Sequence, residues 1–138
     1  MTTVTMTMTD RQAQCVIDAL ALYCRIGLGQ IEELDMLARS GFIRPTAGTD
    51  PADVRDELAA LCSSIKRLLG HHPGGSFGIG HDLVHEYANR AFEIKKQIEK
   101  PLAEHRNPNP KLRTVNYDGR IVAYTNDPNI TVTVEESP

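Results

Sequence analysis

No regular element can run through Gly70-His71-His72-Pro73-Gly74-Gly75-Ser76-Phe77-Gly78-Ile79-Gly80-His81. This stretch holds five of the chain's ten glycines, and Pro73 interrupts it. Glycine loses the most freedom when ordered and proline removes a backbone donor, so neither helix nor strand is sustained there. The stretch therefore divides the chain. Two helical patterns come before it, one starts at its end, and strand-like alternation fills the remainder.

The first pattern opens at Thr9 or Asp10, either of which can cap a helix. Val16, Leu20, Cys24, Gly27, Ile31, Leu34 and Ala38 follow at three- and four-residue spacing, and Ile17, Leu28 and Leu37 widen the apolar face. One helix is expected to run to Ser40-Gly41, with Phe42 and Ile43 tucked back onto the core. Gly27 lies on the apolar face, which predicts a close crossing by another helix; a kink at Gly27 and Gly29 is the alternative. Glu32, Glu33 and Asp35 read as a solvated face, because no histidine lies near them in sequence. The second helix is signalled by Asp50-Pro51-Ala52-Asp53, with Asp50 as cap and Pro51 at the first helical position. Val54, Leu58, Leu61, Ile65 and Leu68 form its predicted core stripe, and Gly70 stops it. The third starts at His81 or Asp82 and carries Val84, Ala88, Ala91, Ile94, Ile98 and Leu102, with a kink or end expected at Pro101.

Alternation with a period of two marks the rest. Residues 2–8 alternate threonine with Val4, Met6 and Met8, as a short strand or a tail. Residues 114–117 and 120–125 flank Asp118-Gly119, a hairpin signal, and Ile130, Val132 and Val134 define a third strand. The expected fold is α+β: a three-helix antiparallel bundle with a small antiparallel sheet made of the C-terminal hairpin and third strand, which the N-terminal strand can extend. Residues 1–138 form a single domain in this reading, with 1–8 a strand or tail, 9–106 helical and 111–136 the sheet.

Composition bounds the function. A net charge of −3 argues against general nucleic-acid binding, which needs a basic surface. No apolar run reaches the length of a membrane span, and residues 1–8 lack the basic and apolar regions of a signal peptide. Cys15, Cys24 and Cys62 are odd in number and form no CxxC, so reduced thiols in a cytoplasmic protein are expected.

The loop itself has the ingredients of an anion cradle. Gly74, Gly75, Gly78 and Gly80 let another group approach the backbone, and a following helix N-terminus favours negative charge. It matches neither GxxxxGK[ST] nor GxGxxG, and a plain helix–helix connection accounts for the same residues more economically. His71, His72 and His81 gather around it, with His85 four residues on. HDLVH lacks the glutamate of HExxH, so no metal site is assigned, and no cofactor is expected. Ser76 has no base and orienter in sequence. Arg90 to Arg113 is the most basic part of the chain, either a solvated face or an electropositive wall.

Residues 22–30, 74–81 and 103–108 (Leu22 to Gln30, Gly74 to His81, Ala103 to Pro108) resemble small uncharacterised proteins encoded by phages and prophages. The resemblance spans roughly residues 9–127. That group has no established activity, so no residue roles carry over. By analogy, it implies an interaction or anti-defence protein in the host cytoplasm.

Three functions are therefore weighed. The first is a non-enzymatic protein holding an anionic, nucleotide-like small molecule, such as a host immune signal. Its expected ligand-binding residues are His71, His72, Gly74, Gly75, Ser76, Phe77, Gly78, Gly80, His81, Tyr87 and Arg90. Glycine amides would take the phosphate, His71, His72, His81 and Arg90 would add donors, and Phe77 or Tyr87 would stack on a base. The second is a module that binds a host protein. The third is a metal-dependent hydrolase built on the histidines. A homo-oligomer is expected as well, from Gly27 and the exposed edges of the sheet.

Overall fold

In the computed structural model, which describes residues 1–137, the chain is helical throughout its regular parts. The elements are α1 (Asp10–Gly27), α2 (Glu33–Arg39), α3 (Pro51–Leu68), α4 (Glu86–Arg106) and a 3-10 turn at Val115–Tyr117. No strand occurs among the described residues, so the expected α+β fold with an antiparallel sheet is overturned. The chain divides into two compact units, one made of residues 1–21 with those from Asn89 onward, the other of 22–88. No described helix is long and apolar enough to cross a membrane.

In the unit 22–88, the single first helix expected from sequence is two. Gly29 sits at φ 86°, in the left-handed region that side chains rarely adopt. The Gln30 amide donates to the Arg25 carbonyl and the Gly29 amide to Ile26, closing α1 in a Schellman motif. Gly70, at φ 85°, ends α3 in the same way, with the His71 amide on Lys66 and its own on Arg67. α3 starts as its sequence predicts, the Ala52 amide donating to the Asp50 carboxylate at 2.9 Å with Pro51 in the first turn. Gly27 meets Ala88 so closely that a Cβ on Gly27 would lie 2.6 Å from the Ala88 Cβ. The close crossing at Gly27 is thus made within this unit.

α2 packs on α3. The buried apolar residues here are Cys24, Leu28, Cys62, Val84 and Ala88, together with Lys66, whose ammonium reaches Glu32 at 2.7 Å. The predicted α3 stripe is only partly used: Val54 and Leu58 are half-buried, while Leu61, Ile65 and Leu68 face water. Cys62 and Lys66, one position further round the helix, point inward instead. Phe42 and Ile43 are likewise exposed rather than tucked back.

The other unit begins at a capping box. The Gln12 amide donates to the Thr9 hydroxyl and the Thr9 amide to the Gln12 side chain. Arg106, at the end of α4, donates to Asp10 at 2.7 Å and to Gln14 at 2.9 Å, joining α4 to the start of α1. Ile17, Ala91 and Leu102 are buried, and α4 continues through Pro101.

The residues expected to form a sheet follow α4 without pairing to one another, and the reason is chemical. Side chains of α4 take the backbone groups that a ladder would use. Glu93 accepts from the amides of Tyr124 and Thr125, Gln97 accepts from the Ile130 amide at 2.8 Å, and Lys96 donates to the Val115 carbonyl. Asp118-Gly119 makes no hairpin; Gly119 has φ 69° and is buried against Lys100. Residues 1–8 form no regular element, and Val4 and Met6 are exposed.

Candidate functional site

The glycine-rich loop is held at three places within its unit. The His71 ring lies over Gly29, where an added Cβ would come 2.8 Å from His71 Nε2. The Phe77 amide donates to the Leu28 carbonyl at 2.9 Å, and Gln30 reaches the Ser76 hydroxyl at 3.5 Å. These contacts bring three rings together. Phe77 stacks on His81 at 4.6 Å between centroids and takes the His71 ring edge-on at the same distance. His71 and Phe77 are half-buried and His81 is exposed.

Within the loop, the Gly75 amide donates to the His72 carbonyl and the His81 amide to Gly78. With Phe77 also engaged, three amides of the expected cradle are used internally. Those of Gly74, Ser76, Gly78 and Ile79 make none of the observed hydrogen bonds. Gly74 and Gly78 lie outside the left-handed region, and an added Cβ would meet nothing within 4 Å at either. Their bare backbone is required by neither a turn nor packing. Gly80 differs, since its φ of 79° does require glycine.

The loop does not run straight into a helix as expected. α4 starts at Glu86 rather than at His81 or Asp82, because the histidines make side-chain turns first. His81 Nδ1 accepts from the Leu83 amide and His85 Nδ1 from the Tyr87 amide, both at 3.1 Å. His85 thereby caps α4, and its carbonyl accepts the Ala88 amide. With Nδ1 engaged as an acceptor, Nε2 is the nitrogen of each ring left to donate. Tyr87 is exposed and meets His85 edge-on at 5.4 Å. His72 is exposed. Arg90 belongs to the other unit, where it forms a bidentate pair with Asp127.

Among the described residues, no group of three or more His, Cys, Asp or Glu side chains is placed to hold a metal ion. The acidic patch at the start of α2 is paired throughout: Glu32 with Lys66, Glu33 with Arg25 and Asp35 with Arg39. Burial opposes ionisation of Glu32, but the Lys66 hydrogen bond and charge outweigh it and hold its carboxyl below the usual range. The basic stretch from Arg90 is no bare wall either. Lys95 pairs with Glu99, Arg113 with Glu104 and His105 with Glu136. Burial raises the Cys62 thiol, which suits an inert core cysteine.

No family model, curated protein or solved structure matches the chain.

One cluster escaped the sequence reading. Glu93, 2% exposed, forms an ion pair with Arg120 at 3.0 Å and accepts from the Thr125 hydroxyl. Arg120 also donates to the carbonyls of Thr125 and Asp127 and to Asn129, beside an open hollow of about 440 Å³. Glu93 lies next to the apolar stripe of α4, and its partners are some thirty residues away, so no local spacing signals them. Burial resists its ionisation, yet the Thr125 and Tyr124 bonds and the Arg120 charge prevail and hold the carboxyl low. A bond from Arg90 lowers Asp127 as well. Both carboxyls bind protons less readily folded than unfolded, so their stabilisation is present above the ordinary values of 4.5 and 3.8 and lost as pH falls through the lower folded values. Amide-exchange protection at Tyr124 and Thr125 is therefore expected to hold from neutral pH down to about 5 and to fade below that. Protection already gone at about pH 6 would contradict this account.

Proposed function

We propose that this protein is a non-enzymatic binding protein that takes an anionic, nucleotide-like small molecule at the 70–81 loop, as a phage protein that sequesters a host immune signal would. The observation that carries the reading is the pair Gly74 and Gly78. At both, the backbone is bare although neither conformation nor packing within the chain calls for glycine. Glycine placed this way leaves room for an outside group to reach the main chain. The amides of Gly74, Ser76, Gly78 and Ile79 supply donors for phosphate oxygens. The Nε2 protons of His81 and His85 add to them, and the Phe77–His81 stack offers an aromatic surface for a base.

The test separates fold from function. Native mass spectrometry of the full chain, with release under denaturing conditions, is expected to yield a nucleotide-sized mass in proportion to the number of chains. Calorimetry against a panel of mono-, di- and cyclic nucleotides then measures binding directly. Gly74→Val and Gly78→Val point into open space, so each should change stability by no more than about 0.5 kcal/mol. Each should lower the affinity at least tenfold. Undiminished nucleotide affinity in both variants would remove the loop from the site.

A further inference from the structure

α3 carries a second apolar line that its own unit does not cover. Val54, Leu58, Leu61, Ile65 and Leu68 repeat at alternating spacings of four and three, the seam pattern of paired helices. The unit buries the flank of this seam, at Cys62 and Lys66, and leaves its centre open. Leu61 is 57% exposed, Ile65 39% and Leu68 84%, with Leu69 beside them at 56%. The same unit fully buries only five apolar residues among those described, a small core for its size. A continuous apolar line beside so thin a core marks an interaction surface.

The charge along α3 indicates what covers it. Asp50, Asp53, Asp56 and Glu57 crowd the N-terminal end, opposed there by Arg55 alone. From Leu58 to His81 the chain holds no acidic residue. Lys66 is engaged with Glu32, which leaves Arg67 to make that end basic. A helix acidic at one end and basic at the other is complementary to itself when reversed, and the helix dipoles agree. We infer that α3 pairs with α3 of a second copy of this chain, antiparallel, about a two-fold axis near Leu61 and Ile65. Like ends would meet in a parallel pair, and the same charges would oppose it.

Sedimentation equilibrium of the full chain tests this. A concentration-dependent dimer is expected. Leu68→Asp should make it a monomer with unchanged circular dichroism, since that side chain is already in water. Leu83→Asp, also exposed but off the seam, should leave the dimer intact. Orientation is read by disulfide trapping with the exposed Cys15 replaced by serine. Ser64→Cys, near the axis, should cross-link to its own copy. Glu57→Cys should not, because antiparallel packing at 1.5 Å per residue sets it roughly 20 Å from its counterpart. A wild-type monomer at every concentration, or a Leu68→Asp dimer as tight as wild type, would overturn the pairing. Cross-linking at both positions would overturn its direction.

Discussion

Glu93→Ala is expected to cost about 3–5 kcal/mol, the largest effect of any single substitution considered for this chain. The carboxylate is buried and is the shared acceptor for Tyr124, Thr125 and Arg120. Removing it leaves two amides and a hydroxyl without their acceptor, and a guanidinium 8% exposed without its counter-charge. Unpaired buried charge dominates that cost, because the carbonyl and amide oxygens that Arg120 still reaches do not replace a counter-ion. The double variant Glu93→Ala with Arg120→Met removes both charges and should recover a substantial part of the loss. Glu93→Gln keeps an acceptor but not the charge, so it should fall between wild type and alanine. Urea denaturation of the three variants measures this. A loss under about 1 kcal/mol in Glu93→Ala would show that the network does not hold the C-terminal segment.

Gly27→Ala is expected to destabilise by about 1–3 kcal/mol, against the sign that helix propensity alone would give. Alanine is the better helix former by up to about 1 kcal/mol. Its methyl group, however, would sit 2.6 Å from the Ala88 Cβ and 3.8 Å from its Cα. Neither atom belongs to a flexible side chain, so the backbones must separate, and packing at the crossing loosens. Ala88→Gly should rescue the variant by clearing the space, although it brings its own cost in α4. Thermal melts of the single and double variants decide the matter. If Gly27→Ala melts at or above the wild-type temperature, the close approach is not a constraint.

The helices were legible where the signals were local. Asp50-Pro51 marks the start of α3, Gly70 its end, and Thr9 the start of α1. The break at Gly29 was less so, since the apolar spacing continues smoothly from Cys24 through Ile31 and hides a helix end that a positive φ marks. The start of α4 was misplaced because His81 and His85 cap with ring nitrogens, which ordinary capping residues do not suggest. The sheet was misread for a different reason. Alternation in residues 130–134 suggests an extended chain, but it cannot say whether strands or helix side chains will satisfy its amides. Buried Glu93 and Lys96 and half-buried Gln97 settle that, from 19 to 33 residues away. In the candidate site, the ring contacts of Phe77 with His71 and His81 had no signal in the sequence. Nor did the sequence signal that Arg90 is engaged by Asp127.

The way the C-terminal segment is fastened has a mechanical consequence. A strand in a ladder can slide by two residues and find equivalent partners, because every backbone group looks alike. Here each fastening is a different side chain, a carboxylate for Tyr124 and Thr125, an amide for Ile130 and an ammonium for Val115. The segment therefore has one alignment on its helix and no neighbouring one of comparable energy. It closes like a row of unlike buttons rather than a zip: each can open alone, and none fits another's hole.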